Sequence, residues 1–524
     1  MQKPHRRGLE AAVEKVDLVV VGAGASGSVV AARASEDPDR SVLLIEAGDS
    51  PRTRAEFPPE LLDAALVPGA RPVADRHWAH PVRLADDRVS SIFRGRFLGG
   101  STATNGGYFM RARREDYVAW AAAGNPAWAY ESVLPFLRAL ERDLDYGDTD
   151  LHGGSGPVPV HRPALTGPIT SAFAQAADEL GFPAEPDKNA QGAPGFGPVP
   201  RNVENGIRWN TGLAYVLPAL NRGNMSLLAG ATVRRIRFRG SRAVGVDIQV
   251  DGRDSTVEAG AVVLSAGALG TPALLMRSGI GPAGDLHALG IPVVGDLPAV
   301  GRRFSDHPQV VLEWAPRDYR GRGDHSWISA CLNFRSTDGP RSGDLQILPS
   351  NVPMNVLTGG AATAKPTLPV LVSVMRPSPT GRLRLVCADP DVPLDIRYGY
   401  LSSAGGPARF REAVRTALAL VSSRAFAGVA AGEPDLDRRT AADDTALDGW
   451  IRDRLGTSLH TCGTAPMGSP DDPETAVDQF GRVHGIDGLR VADTSILPAA
   501  PLRGPANTAV LIGEMIAHAL RSVD

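Results

Sequence analysis

The chain has 524 residues, 43% of them hydrophobic and 22% charged, with a formal net charge of −3. This length exceeds one simple core, so we expect two or more structural units. The small charge and lack of a long basic run argue against nucleic acid as a partner. Three widely spaced cysteines exclude a disulfide framework. The charged N-terminus lacks an apolar signal segment and no run of 18 apolar residues occurs, so we expect a cytoplasmic protein without a membrane span.

A nucleotide-binding pattern opens the chain. Residues 16–21 (VDLVVV) are typical of a buried parallel strand, and Gly22, Gly24 and Gly27 follow at once in the spacing GxGxxG. A helical segment and a second strand, SVLLIEAG, complete a βαβ unit that ends near Glu46. The glycines suit a tight turn and a pyrophosphate at a helix N-terminus, and the acid suits a ribose diol. The unit therefore predicts a dinucleotide site.

This motif by itself does not distinguish NAD from FAD. The unit stands at the start of the chain, and the following hundreds of residues contain no second GxGxxG suited to a nicotinamide. That arrangement favours one permanently held FAD.

Eight further segments follow the first motif. They are RGRFLGGSTATNGGYFMR (94–111), HGGSGPVPV (152–160), NTGLAYVLPALNRGNMSLLAGATVRRI (210–236), AGALGTPALLMRSGIGP (266–282), AVGRRFSDHP (299–308), RPSPTGRLRLVCADP (376–390), LHTCGTAPMG (459–468) and LRVADTSILP (489–498). Their sequences and their order resemble the glucose–methanol–choline (GMC) family of FAD-dependent oxidoreductases. Within the family, NGGYFMR, LHGGSGP and the RGP turn near the C-terminus are most similar to oxidoreductases of mycofactocin gene systems.

The resemblance implies an α/β fold: a doubly wound, Rossmann-type FAD-binding domain with an α+β substrate domain built on an antiparallel sheet. The FAD-binding domain is expected from residues 14–160, 200–310 and 445–524. The substrate domain is expected from residues 161–199 and 311–444.

Patterns within the expected substrate domain support that assignment. Three segments have the alternating or continuous apolar residues that are typical of strands in an antiparallel sheet: SGDLQILPSN, PTLPVLVSVMRP and RLRLVCADP. Residues 408–423 have helical spacing. The Pro/Gly-rich segment 189–200 predicts a loop that could cover the site.

Carried over position by position, the resemblance implies a flavin site. The glycines of the first motif would hold the pyrophosphate and Glu46 the adenosine ribose. The GGSTATNGG loop would run along the flavin, where Asn105, Gly106 and Gly107 provide close contacts. Val233 and Trp78 match positions at the adenine end, and Asp493 matches one near the ribityl chain. Further implied cofactor-binding positions are Ala23, Ser26, Ala47, Gly100, Ser101, Ala266 and Thr508. Thr104 stands where some members carry a flavin-linked histidine, so we predict non-covalent FAD.

The stretch LHTCGTAPMG allows three interpretations. Cys462 could be a nucleophile with His460 as its base, because residues two apart share one face of an extended segment. The pair could be half of a metal site, although no other Cys or His stands nearby at ligand spacing, and we predict no metal. The resemblance instead makes His460 the group that takes the alcohol proton while a hydride passes to flavin N5. Cys462 would then be a packing residue, and His307 in SDHP a structural one.

A second polar group is expected just before the last helix, in PLRGPANTAVLIGEMIAHAL (501–520). Asn507 is the candidate catalytic residue there. Counting back from LIGEMIA, however, the usual position falls on Ala506, one residue earlier. An Asn at a helix start is also a common N-cap, so both interpretations remain.

The expected function is oxidation of an alcohol, either a small neutral alcohol or a redox-cofactor substrate such as reduced mycofactocin. Oxygen, a quinone or a protein carrier would accept the electrons. Two alternatives remain: a lyase or isomerase of the same fold, and a redox-inactive flavin-binding accessory protein.

Overall fold

The computed structural model describes residues 15–521 except 71, 320–325, 358, 362, 364 and 404. Residue 14 and residues 522–524 of the predicted domain ranges lie outside the described residues. The strands are β1 (Lys15–Val21), β2 (Val42–Ile45), β3 (His77–Ala85), β4 (Arg88–Gly95), β5 (Glu141–Asp143), β6 (Val158–Val160), β7 (Phe196–Pro198), β8 (Val203–Glu204), β9 (Ile207–Arg208), β10 (Met225–Leu228), β11 (Ala231–Arg239), β12 (Arg242–Val250), β13 (Arg253–Leu264), β14 (Ile280–Gly281), β15 (Gly295–Asp296), β16 (Pro308–Trp314), β17 (Ala330–Phe334), β18 (Leu345–Pro349), β19 (Leu368–Val374), β20 (Arg382–Arg384), β21 (Asp395–Arg397), β22 (Gly456–Thr457) and β23 (Leu489–Val491).

The α-helices alternate with these strands through most of the chain. They are α1 (Ala25–Ala34), α2 (Pro59–Leu62), α3 (Ser101–Thr104), α4 (Arg114–Ala122), α5 (Tyr130–Ala139), α6 (Pro168–Glu179), α7 (Leu217–Ala219), α8 (Gly267–Arg277), α9 (Ala283–Ala288), α10 (Met354–Leu357), α11 (Gly406–Val421), α12 (Arg424–Ala427), α13 (Arg438–Ala442), α14 (Asp444–Arg454) and α15 (Ala506–Arg521). No helix of the described residues is long and apolar enough to cross a membrane.

The first large sheet has the order β10–β2–β1–β13–β12–β11, and β23 also pairs with β13. Strands β10, β2, β1, β13 and β23 run parallel, while β12 and β11 continue the sheet antiparallel. The parallel strands are rich in Val, Leu and Ile, as expected for strands buried on both faces. The α/β prediction with a doubly wound nucleotide-binding sheet is confirmed.

Helix α15 packs directly on α1, which follows the glycine motif. A Cβ placed on Gly513 would lie 2.6 Å from Val29 Cβ and 2.8 Å from the Ser26 carbonyl oxygen, so only glycine allows this approach. The Ser26 hydroxyl donates to the Ala509 carbonyl oxygen at 2.6 Å. The last helix of the chain is thereby fixed against the first, and its N-terminus comes to the nucleotide-binding loop.

The second large sheet has the order β22–β16–β19–β18–β17–β7 and is antiparallel throughout. Its β18 and β19 and helix α11 lie in the segments where strands and a helix were predicted. Val310, Val370 and Val372 on one face belong to the main core together with residues of α11. The opposite face carries Gln309, Ser373 and Gln346, which lie directly opposite one another on β16, β19 and β18.

Some sequence predictions fail at element boundaries. The segment 189–200 is not entirely a loop, because β7 within it pairs with β17. Strand β16 begins at Pro308, whereas the FAD-binding domain was expected to extend to residue 310. Strand β22 pairs with β16, although its residues were expected to belong to the C-terminal piece of the FAD-binding domain. These strands are defined by pairing with residues far away in the chain, which local sequence patterns do not encode.

A buried ion-pair network surrounds the HGGSGP turn. His152 Nδ1 lies 3.0 Å from Glu141 and 3.1 Å from Asp143, and its Nε2 lies 2.8 Å from Asp187. Arg162 bridges Asp143 and Asp187 at 2.9 Å and 2.8 Å. Burial would lower the His152 pKa, but the hydrogen bonds to the three carboxylates outweigh it and raise the pKa to about 10. The histidine is therefore a structural cation.

His152→Gln should lower the free energy of unfolding by about 3 kcal/mol near neutral pH, because it removes a buried cation that contacts three carboxylates. Because the His152 pKa is higher in the folded protein, protonation of this residue stabilises the fold. This stabilisation is complete below pH 6.5, the pKa in the unfolded chain, and it is lost as the pH rises towards 10. Urea unfolding of both proteins at several pH values measures the effect. A difference between them that stays constant or grows up to about pH 10 would contradict the assignment.

Candidate active site

The three glycines of the first motif differ in their surroundings. Gly22 has φ +99°, and a Cβ there would lie 2.5 Å from the Ser265 carbonyl oxygen. A Cβ on Gly27 would lie 2.0 Å from the Gly22 carbonyl oxygen. At Gly24, by contrast, the nearest atom would be 4.0 Å away. Protein packing therefore requires glycine at 22 and 27, whereas at 24 it leaves open space at the N-terminus of α1, as a pyrophosphate needs.

Glu46 follows β2 and reaches back to the same loop. One carboxylate oxygen accepts from the Ala23 N–H at 2.9 Å and the other from the Gly48 N–H at 2.8 Å. Burial raises the pKa of this carboxyl group. Ala47 lies between these contacts, half-buried. The acid stands at the end of the second parallel strand, where a ribose diol is bound in dinucleotide folds.

The second loop, residues 99–107, crosses directly over the first. Gly100 has φ +53°, and a Cβ there would lie 2.7 Å from Gly24 Cα. The Asn105 side chain accepts from the Gly107 N–H at 2.9 Å. A Cβ on Gly106 would lie 2.3 Å from the Trp327 ring, whose N–H donates to the Gly106 carbonyl oxygen at 2.8 Å. The two predicted flavin-binding loops are therefore in contact.

Other predicted cofactor positions vary in their contacts. Buried Asp493 accepts from Thr271 at 2.6 Å and from the Gly267 N–H at 2.9 Å, so it fixes the turn next to Ala266. The side chain of Trp78 is 38% exposed, and the Arg96 guanidinium stacks over its ring, 4.7 Å from the ring centroid. Val233 is buried in β11, at a register shift between β11 and β12. The Ser101 hydroxyl accepts a hydrogen bond from the Gly95 N–H at 3.2 Å. The Ser26 hydroxyl donates to the Ala509 carbonyl oxygen.

Unpartnered polar groups lie in the first turn of α15. Both amide atoms of Asn507 and the hydroxyl of Thr508 are fully buried and have no hydrogen-bond partner in the described protein. Buried polar atoms are rarely left unpaired, and a helix N-terminus favours an electronegative ligand. These residues fit a bound cofactor group.

His460 is paired with a residue that sequence analysis took for a structural one. Its Nδ1 lies 2.8 Å from Nδ1 of His307, and the two rings are nearly perpendicular. Burial, together with the nearby His307 and Arg94, holds the His460 pKa well below its ordinary value. Burial likewise lowers the His307 pKa to about 3. Both imidazoles are therefore neutral at physiological pH. The SDHP motif was the signal that could have identified His307.

The carboxylate of Asp306 holds both histidine segments. One oxygen accepts from the His460 N–H at 2.8 Å and from the His307 N–H at 2.6 Å, and the other accepts from Thr461 at 2.7 Å. Leu459, immediately before His460, has φ +64°, a conformation that is costly for a branched aliphatic residue. Strained backbone and a buried carboxylate thus determine where the His460 ring points.

The alternatives for the LHTCG stretch receive no support. The Cys462 thiol is fully buried and contacts the His460 carbonyl oxygen at 3.2 Å, not its ring. Burial raises its pKa well above the ordinary value, which disfavours a thiolate. Within the described ranges, neither residue belongs to a group of three that could bind a metal; the one such group is Glu141, Asp143 and His152.

The second polar group expected before the last helix, Asn507, stays a prediction. Asn507 forms no hydrogen bond with His460. Gly504 is the residue of this segment that faces the ring, because a Cβ placed on it would lie 3.2 Å from His460 Nε2 and 3.0 Å from a Tyr108 ring carbon. The turn before α15 therefore brings Gly504 next to the imidazole.

Residues 16–309 and 377–513 match the N- and C-terminal descriptions of the GMC oxidoreductase family. The chain belongs to the GMC oxidoreductases. It is 39% identical to a GMC-type oxidoreductase of Rhodococcus erythropolis over 95% of this chain and 97% of the relative. It is 35% identical to 5-(hydroxymethyl)furfural oxidase of Methylovorus sp. over 96% and 98%. The solved structure of pyridoxine 4-oxidase from Mesorbium loti matches with a TM-score of 0.89 and 29% identity, covering 97% of this chain and 100% of that one.

This GMC oxidoreductase is an FAD-dependent enzyme of the alcohol-oxidising kind, as predicted. The residues present fit the cofactor. Gly24 leaves space for a pyrophosphate, and the loops at 22–27 and 99–107 are in contact. The unpaired amide of Asn507 and hydroxyl of Thr508 offer a donor and acceptors at the start of α15.

The surroundings of Gly24 predict a selective defect. Gly24→Ala should leave the apoprotein as stable as wild type, because the methyl group meets no protein atom closer than 4.0 Å. It should lower FAD affinity at least about 10-fold by occupying pyrophosphate space. Equilibrium titration of apoprotein with FAD measures this. Gly284→Ala in α9, with no atom within 4 Å of its added Cβ, is the matched control. Equal FAD affinity of both variants and wild type would contradict the assignment.

Proposed function

We propose that the enzyme oxidises an alcohol with His460 as the base. The observation that carries the proposal is the half-buried, neutral His460 with its Nε2 facing Gly504, the residue that leaves the space in front of the ring free. A neutral imidazole can accept the hydroxyl proton of an alcohol held there. Bound FAD would accept the hydride from the carbinol carbon.

His307 determines which nitrogen of His460 acts. Two Nδ1 atoms 2.8 Å apart share one proton. The proposed base is Nε2 of His460, whose lone pair must be free, so the proton of this neutral ring lies on Nδ1. We therefore assign Nδ1–H of His460 as the donor and Nδ1 of His307 as the acceptor. His460 Nε2 then carries the free lone pair towards the substrate.

The cofactor would be held non-covalently, since Thr104 offers no imidazole for a flavin bond. Glu46 would bind the ribose, and the first turn of α15, with Asn507 and Thr508, would contact the flavin. This places Asn507 in cofactor binding and leaves proton transfer to His460. The substrate would be a small neutral alcohol or reduced mycofactocin, with oxygen, a quinone or a protein carrier as electron acceptor. Relatives named for 5-(hydroxymethyl)furfural and pyridoxine support a small primary alcohol.

An anaerobic flavin-bleaching assay tests the function. Wild-type holoenzyme is mixed with primary and secondary alcohols and reduced mycofactocin. At least one compound should bleach the flavin, and His460→Ala should slow bleaching by about 100-fold or more while retaining FAD. His287→Ala, an exposed histidine in α9, is the control. Readmitting air distinguishes an oxidase from a dehydrogenase.

Two results would contradict this function. Absence of bleaching by every compound, with FAD bound, would favour the lyase, isomerase or accessory alternatives. Bleaching by His460→Ala at the wild-type rate would place the base elsewhere.

The positioning role of His307 predicts a change in the pH profile. His307→Ala removes the acceptor for His460 Nδ1 and should lower the limiting bleaching rate about 10- to 100-fold. His307 also lowers the His460 pKa, so its removal should raise that pKa and move the acid limb of the bleaching rate to higher pH. His307→Asn restores an acceptor and should recover part of the rate. A loss in both variants without a shifted acid limb would indicate a merely structural role.

A further inference from the structure

A row of uncharged polar side chains crosses the second sheet. Gln309 on β16 is directly opposite Ser373 on β19, which is opposite Gln346 on β18, which is opposite Asn333 on β17. Directly opposite residues of antiparallel strands point to the same face. The four side chains therefore form a line across four strands, which we call the polar row.

The polar row lies beside His460 and His307. The Tyr108 hydroxyl donates to the Gln346 side-chain oxygen at 3.1 Å, and Tyr108 borders Gly504 opposite His460. At the other end, the Gln309 amide donates to Ser458 at 3.1 Å, and the Ser458 N–H donates to the His307 carbonyl oxygen at 2.9 Å. The row is thus connected to the site at both Tyr108 and His307.

The polar row retains hydrogen-bonding capacity that the protein leaves unused. The Gln346 amide N–H groups donate in no hydrogen bond among the described residues, and the Asn333 amide nitrogen is buried and unpartnered. The neighbouring row on this face is apolar: Leu371 is opposite Leu348, and both pack with Met110 and Trp327. The free Gln346 amide beside an apolar row suits a ligand with a hydrocarbon part and a neutral polar group.

The charges around the row disfavour a cationic ligand. Arg503, next to Gly504, is fully buried, and its hydrogen bonds go to the carbonyl oxygens of Ser342, Gly343 and Leu502. It forms no ion pair within the described part of the chain. The neighbouring acids are engaged elsewhere: Asp116 accepts from the N–H groups of Arg113 and Leu502, and Glu185 pairs with Lys188 and Arg113. This region therefore carries one excess positive charge.

We propose that the polar row is the substrate-recognition surface, and that the substrate is an uncharged alcohol with a second hydrogen-bonding group. The inference rests on the proposed alcohol oxidation and deepens it. Gln346 and Ser373 bind the second group, a hydroxyl, carbonyl or amide, while the first hydroxyl faces His460. Arg503 excludes alcohols that bear an ammonium group, because desolvating one cation beside another has no compensating partner.

A panel of straight-chain alcohols of two to eight carbons tests the proposal on the holoenzyme. Each length carries a methyl, a hydroxyl or a trimethylammonium group at the far end, and anaerobic bleaching gives the apparent affinity. At one length or more the hydroxyl compound should bind about 3- to 10-fold tighter than the methyl compound, as one added neutral hydrogen bond allows. The ammonium compound should be the weakest. A methyl or ammonium compound that binds best at every length would overturn the inference.

Substitution of the row supplies the second readout. Gln346→Met keeps the length of the side chain and should weaken the hydroxyl compound about 3- to 10-fold more than the methyl compound. Gln249→Met is the matched control, because this glutamine lies in the other sheet and bonds only Asp254. If Gln346→Met loses FAD, Ser373→Ala tests the same difference. Equal weakening of both compounds would indicate packing and would overturn the proposal.

Alcohol oxidation and the role of the polar row are contradicted by different results. If no alcohol of either panel bleaches the flavin, the proposed function fails, and this inference fails with it. If alcohols bleach the flavin through His460 but the far-end group has no effect, the function stands and the assignment of the polar row is wrong.

Discussion

One buried carboxylate organises the chemistry of this enzyme. Asp306 accepts hydrogen bonds from the backbones of His307 and His460, two residues that are about 150 positions apart. An unpaired charge at this depth would be strongly destabilising, so the three hydrogen bonds that satisfy Asp306 also fix the segments that make them. The Nδ1 contact between the two imidazoles follows from this attachment. The orientation of the base therefore depends on packing between domains and not on local sequence.

Neutrality of the two histidines follows from the same burial. His307 is fully buried and His460 is half-buried, and a proton added to either ring would face the other ring and a nearby arginine, Arg94 or Arg503. The enzyme thereby keeps an acceptor ready for a hydroxyl proton. The excess positive charge around Arg503 also disfavours a second cation in the pocket. The same buried groups thus keep the histidines neutral and disfavour a cationic substrate.

Prediction from the sequence succeeded where a function is contained in one local unit. The turn at Gly22, the open approach at Gly24 and the packing at Gly27 all follow from one βαβ unit, in which spacing determines geometry. Helix α11 and strands β18 and β19 followed from hydrophobic periodicity in the same way. Prediction failed at β7 and β22, because short edge strands carry little pattern of their own and are defined by the strand beside them.

The sequence by itself determined the family and the cofactor, and it pointed to His460 as the base that we propose. Motifs of ten to thirty residues carry that information, since they fold as units. Only the tertiary structure decided that His307 is the partner of His460, that Gly504 faces the base, and that Gln309, Ser373, Gln346 and Asn333 form one row. These relations join residues far apart in the chain. They depend on strand register and on the turn before α15, where a shift of one residue changes which side chain points into the site.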